Sequence, residues 1–201
     1  MSTEIPRTKA AQSEATRGRL LAAARKLFAE RGFAGVGTEE IVRAAGVTRG
    51  ALYHQFEDKR ALFEAVFEEL EAELIAEAGS RLAGQSDPLE AMKAACRGWL
   101  EACVRPEAQR IVLVDAPAVL GYDKWREIGE RHGLGEVTMV CQVAMDAGVI
   151  ETQPVRPLAH ILVGALDEAA LYVARAEDPA SALEEMDQVL VRMIDSMRAR
   201  A

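Results

Sequence analysis

The chain has 201 residues, half of them hydrophobic, and a formal net charge of −8; that apolar content excludes a disordered chain and suffices for one large domain or a small domain fused to a larger one. Three cysteines with no CxxC pair exclude a disulfide framework and a zinc site. The longest apolar run, 161–173, is broken by Asp167 and Glu168, and the N-terminus lacks the apolar segment of a signal peptide, so no membrane association and a cytoplasmic location are expected.

Strand-like alternation is rare, and Ala, Leu, Glu and Arg dominate, which predicts an all-α fold. Residues 1–12 read as a loose tail. Helix 1 is expected from about Thr16 to Arg31, with Leu20, Ala24, Leu27 and Phe28 as its apolar stripe. GFAGVG (32–37) ends it. Thr38 is expected to cap the second helix, with Glu39 and Glu40 in the first turn, where carboxylates complement the helix dipole. Gly46 suits a left-handed C-terminus, Thr48 caps a short third helix, and Asp58 caps a fourth that reaches about Ser80. Further helices are expected from Asp87-Pro88 to about Val104 and from Pro106 to about Pro117. Two more lie within 121–148, broken around His132-Gly133. The last pair runs from about Pro157 to Ala176 and from Pro179 to Arg200.

Charge is uneven. Residues 1–60 hold eleven Lys and Arg against seven Asp and Glu, net +4, whereas 61–201 hold thirteen against twenty-five, net −12. A basic head on an acidic body points to a polyanion met by the head. Within that head, residues 38–56 read as helix, tight glycine turn, helix. This is the helix-turn-helix arrangement, whose second helix enters the DNA major groove. On the second helix Leu52 and Phe56 turn inward, and Arg49, Gly50, Tyr53 and His54 turn outward. Arg binds a guanine edge or a phosphate. Tyr and His hydrogen-bond phosphate, and the bare glycine admits a close backbone. Two adjacent aromatics roofing a small three-helix core is the competing structural reading.

The run TEEIVRAAGVTRGALYHQFEDKRALFEAV (38–66), preceded by ARKLFAERGF in helix 1, resembles the signature of the TetR/AcrR family of bacterial transcriptional regulators. The resemblance covers about residues 16–66. It implies a three-helix DNA-binding domain over 13–60, joined by helix 4 to a larger helical effector-binding and dimerisation domain over 61–201. It also implies DNA contacts at Thr48, Arg49, Gly50, Tyr53, His54, Gln55 and Lys59, with Thr38 and Arg17 meeting phosphate. Relatives commonly read Leu-Tyr-x-His-Phe. This chain reads Leu52-Tyr53-His54-Gln55-Phe56, so the family's phosphate contact is expected to pass to Gln55. Arg7 and Lys9 of the tail are in reach of a minor groove, though a free tail is the simpler expectation.

Proteins of this arrangement pair so that two helices meet successive major grooves. Leu183, Met186, Leu190, Met193 and Met197 form a heptad-like stripe on the final helix. The helix before it offers Leu162, Ala165, Ala169 and Tyr172, with Gly164 and Ala170 permitting close approach. A four-helix homodimer interface is expected, although the same stripes also suit the body's own core. By the family's logic the body holds a pocket for a small-molecule effector that lowers affinity for double-stranded operator DNA. The candidate wall is Met92, Cys96, Trp99, Cys103, Tyr122, Trp125, Met139 and Val143, with Asp115 and Asp167 placed to orient a cationic or hydroxylated ligand.

Catalysis is not expected. GFAGVG lacks the Lys-Ser/Thr ending of a phosphate loop and follows a helix, His132 and His160 have no metal-ligand partner at helical spacing, and no Ser-His-acid set is visible. No cofactor is implied. A redox sensor is disfavoured because Cys96 and Cys103 stand two helical turns apart. Repression is the commoner mode for the resemblance, and activation on the same fold is the alternative.

Overall fold

The computed structural model describes residues 9–199. Its elements are α1 (Lys9–Arg31), α2 (Thr38–Ala45), α3 (Arg49–Gln55), α4 (Lys59–Ser80), α5 (Pro88–Cys103), α6 (Pro106–Ala108), a π-helical segment (Gln109–Asp115), α7 (Ala116–Leu120), α8 (Tyr122–Asp146), α9 (Val155–Arg175) and α10 (Pro179–Asp195). The all-α expectation holds: among the described residues the sole β feature is an isolated antiparallel bridge, Ile150 to Arg198. The chain divides within α4 into two compact units, residues 1–68 and 69–201.

Local chemistry sets the ends of α2, α3 and α4. Gly46 takes the left-handed conformation (φ +62°), which lets the Val47 N–H reach back to the Val42 carbonyl at 3.0 Å and close α2. Thr48 then accepts the Ala51 N–H on its hydroxyl at 3.2 Å and starts α3. Asp58 accepts the Ala61 N–H at 2.7 Å at the start of α4. Leu20, Ala24, Phe28, Ile41, Leu52, Leu62 and Phe63 form the centre of the first unit, all fully buried. Phe63 meets Phe28 and Phe33 edge-on at 5.3 and 5.2 Å, the geometry that ring quadrupoles favour.

In the second unit α9 packs against α5, α8 and α10. Leu89, Met92, Cys141, Ala144, Ile150, Leu162 and Ile194 form one apolar cluster, against which Met193 and Met197 pack from the side. By length and composition alone α9 could cross a membrane. Here it buries Ala159, Leu162, Val163, Ala169, Ala170 and Val173.

Several boundaries differ from those read in the sequence. Helix α1 begins at Lys9 instead of Thr16, so residues 9–12 are helical and Lys9 belongs to the helix; Arg7 lies outside the described residues. Gly37, not Thr38, is the N-cap of α2; Thr38 is already helical, and no side chain caps that end. The stretch after Pro106 runs to Leu120 through a π-helical segment, in which the Ala116 N–H bonds to the Ile111 carbonyl five residues back. Pro117 has no N–H to give and crowds the carbonyl four residues earlier, so the chain winds wider ahead of it. Residues 122–146 form one helix, not two. Gly129 and Gly133 are close-approach positions within it: a Cβ at Gly133 would stand 3.4 Å from Ile75 Cδ1, and one at Gly129 would stand 3.3 Å from Glu71 Oε1. Helix α10 ends at Asp195, after which the chain turns so that the Ala199 N–H bonds to the Val149 carbonyl at 2.9 Å.

Candidate DNA interface and effector cavity

Helix α3 has two unlike faces. Leu52 and Phe56 are buried, at 0% and 5% exposure, while Tyr53 stands 44% exposed and Thr48, Arg49, Gly50 and His54 are all exposed. The Arg49 guanidinium lies 5.6 Å over the Tyr53 ring and 3.8 Å from the Glu39 carboxylate of α2. Both members of that ion pair are mostly solvated, at 65% and 84% side-chain exposure. Such a pair is weak, so Arg49 exchanges Glu39 for another anion at little cost. A Cβ on Gly50 would meet nothing nearer than Thr48 Oγ1 at 3.9 Å, so nothing inside this unit requires the glycine.

Three of the sequence-predicted contact residues have intramolecular work. Gln55 is half-buried, and its Nε2 donates to Ser13 Oγ at 2.6 Å, which ties α3 to the first turns of α1. His54, not Gln55, therefore stands on the exposed face. The Lys59 ammonium donates to the Phe33 and Val36 carbonyls, both at 2.9 Å, and lies 3.9 Å over the Phe33 ring. It thereby clamps the loop between α1 and α2, and desolvation lowers its pKa from the ordinary lysine value. Arg17 is half-buried with its guanidinium 4.6 Å over Phe56. Thr38 is half-buried at the first turn of α2. Sequence could not have shown the roles of Gln55 and Lys59, because their partners lie far away along the chain.

Residues of the first unit match the family described as bacterial regulatory proteins, tetR family, over 20–66, and residues 89–197, more than half of the chain, match the tetracyclin repressor-like C-terminal domain. A TetR-family transcriptional regulator from Pectobacterium atrosepticum, known by crystal structure, is 36% identical to this chain, with 96% of this chain and 99% of that one covered and a TM-score of 0.85. The chain belongs to the TetR/AcrR family of transcriptional regulators. The HTH-type regulator AcrR of Shigella flexneri is 35% identical over 105 residues, 51% of this chain and 48% of that one. The HTH-type transcriptional repressor BepR of Brucella suis is 48% identical over 60 residues, 30% of this chain and 28% of that one. The match thus spans about half the length of the first of these curated relatives and less of the second.

This TetR-family chain carries a cavity of about 110 Å³ in its second unit, lined by α4, α5, α8 and α9. Of the wall residues predicted from sequence, Met92, Cys96, Trp99 and Asp167 line it. The others do not. Cys103 and Trp125 are buried elsewhere in the core, Asp115 is half-buried away from the cavity, and Tyr122, Met139 and Val143 are more than half exposed. Helical spacing gave the face of α5 but not its neighbours: Ile75, Leu82, Val137, Val140 and Leu166 complete the apolar wall.

Glu71 is the wall residue that the sequence concealed. It sits among glutamates on α4 that look like a solvated face, yet it is 4% exposed, and its Oε2 has no hydrogen-bond partner. Burial, and then the charge of Asp167, pushes its pKa up to about 8. Asp167 is pushed up to about 6 by burial, against the pull of Arg126, whose Nη1 lies 3.4 Å away. Trp99 Nε1 is likewise buried without a partner. Burial pushes the Cys96 thiol up to about 12 and Cys141 up to about 11, which suppresses the thiolates that redox chemistry uses.

The predicted dimer residues are divided. Leu162, Ala169 and Leu190 are buried in the chain's own core, and Ala165, Met186, Met193 and Met197 are half-buried. Tyr172 is 53% exposed. Ile161 on α9 and Val189 on α10, at 68% and 59%, are the more prominent apolar side chains there.

Proposed function

We propose that the protein is a homodimeric, cytoplasmic repressor that places α3 in the DNA major groove and leaves its operator when a small molecule fills the cavity of the second unit. The observation that carries this reading is the division of α3: Leu52 and Phe56 anchor it, and Arg49, Gly50, Tyr53 and His54 present a donor-rich, sterically open face with a capped N-terminus. In this reading Gly50 keeps the outer surface clear for a DNA backbone, since nothing within the first unit needs the space. Thr38, Arg17 and Lys59 contribute to phosphate contact, Lys59 with the donor left after its two carbonyl bonds. Gln55 acts indirectly, by fixing α3 on α1.

Repression is supported by the name of the repressor BepR, similar over 60 residues. The exposed Ile161, Tyr172 and Val189 support pairing through α9 and α10. Helix α4 supplies Leu62 and Phe63 to the first core and Glu71 and Ile75 to the cavity wall, which makes it the proposed route between ligand and DNA.

The test is selection of binding sites from a pool of random duplexes. An inverted repeat with half-sites one helical turn or a multiple apart supports the dimeric reading. A single unrepeated half-site, or no enrichment, contradicts it.

A further inference from the structure

The cavity has a charge character that its apolar wall disguises. Among the described residues three carboxyl side chains line it, Glu71, Glu136 and Asp167, and no Lys, Arg or His does. Arg126, the guanidinium paired with the wall residue Asp167 at 3.4 Å, is shared with Glu130 at 2.9 Å. Glu71 faces Asp167 from α9 and Cys103 from α5, and the Arg126–Glu130 pair of α8 acts on Asp167, so the groups around Glu71 bear more acid than base. Its Oε2 is fully buried and unpartnered. A buried orphan of this kind is costly unless something binds it.

We propose that the cavity binds a compact, mainly apolar organic cation, an amine or ammonium group carried on about one aromatic ring, with its positive nitrogen against the Glu71 carboxyl. This deepens the effector reading and rests on it for the consequence at DNA. Size follows from the volume: about 110 Å³ is near that of protein cavities that take a single benzene ring. Sign follows from the wall. An anion would meet three carboxyl groups against a single neutral donor, the Trp99 indole N–H, whereas a cation lends Glu71 the countercharge it lacks and lies beside the indole of Trp99, a surface that attracts cations. In the free protein Glu71 holds a proton at neutral pH. As the cation enters, the Glu71 O–H bond breaks, the proton passes to solvent, and the carboxylate pairs with the ligand nitrogen, so that the site's total charge is unchanged.

The experiment is calorimetric titration of the full chain at pH 7, without DNA, using benzylamine, benzyl alcohol and benzoate as probes of one shape and three charges. It is run in two buffers of different ionisation enthalpy to count protons. Benzylamine is expected to bind at least about tenfold more tightly than benzyl alcohol, with about one proton released per molecule, and benzoate not at all. Glu71→Gln is expected to retain benzyl alcohol affinity and to lose both the preference for the amine and the proton release. Equal or tighter binding of the alcohol or benzoate overturns the proposal, as does amine binding to the wild type without proton release, or no binding by any probe. The wild-type proton count does not depend on the variant folding. A gel shift separates the two readings. If benzylamine binds as described but leaves DNA affinity unchanged, the effector role fails and the cation site stands. If a neutral or anionic compound displaces DNA and the amine preference is absent, the reverse holds.

Discussion

Glu71 ties the stability of the fold to pH. Its folded pKa, about 8, lies above the ordinary glutamate value, so the native state keeps a proton that the unfolded chain releases. The stability tied to that proton is fully present below about pH 4.5 and is lost as pH rises towards 8. Asp167, raised to about 6, acts with the same sign over a lower window. Thermal unfolding followed between pH 5 and 8 is expected to show a falling Tm in the wild type and a flatter profile in Glu71→Gln. In the first unit, Lys59→Met removes a charged donor from two carbonyls and is expected to cost about 1–3 kcal/mol in denaturant unfolding, with Gln55→Ala costing about 1 kcal/mol. If both variants match the wild type, these side chains do not hold the unit together.

At the scale of elements, legibility tracked the range of the interactions. The C-terminal end of α2 and the start of α3 were readable because Gly46 and Thr48 act on backbone groups a few residues away. The single helix α8 was not, since Gly133 reads as a breaker until Ile75, far back on α4, is found against it. Gln55 and Lys59 escaped for the same reason: Ser13 lies 42 residues away, and Phe33 and Val36 lie 26 and 23. The face of α5 that carries Met92, Cys96 and Trp99 followed from helical spacing, while Glu71 was hidden because periodicity does not say which glutamate of an acidic helix meets a cavity. These glycines also separate two effects. Gly135→Ala has open space around its Cβ and is expected to stabilise the chain by up to about 1 kcal/mol through helix propensity alone. Gly129→Ala presses on Glu71 Oε1 at 3.3 Å and is expected to weaken ligand binding whatever it does to stability, as calorimetry would read.

For the whole molecule the proposed function turns on pairing, because one recognition helix alone reads too few base pairs to select a site. The apolar side chains left exposed on α9 and α10 make Ile161→Glu and Val189→Glu the informative variants. Sedimentation at micromolar concentration is expected to show a dimer for the wild type and monomers for the double variant, with loss of specific DNA binding at that concentration. A monomeric wild type would rule out the proposed interface and, with it, the proposal that a ligand acts by altering the spacing of two α3 helices.

In the proposed function the exposed face of α3 reads DNA. This is tested most directly by fluorescence anisotropy of wild type, Arg49→Ala and Tyr53→Phe on the duplex recovered by selection, titrated at several salt concentrations. Arg49→Ala is expected to lose about 1–3 kcal/mol of affinity per half-site. If Arg49 contacts phosphate, the salt slope falls by about one per half-site; if it contacts a base edge, discrimination among sequences falls instead. Wild-type affinity, salt slope and selectivity in both variants would show that this face of α3 does not read DNA.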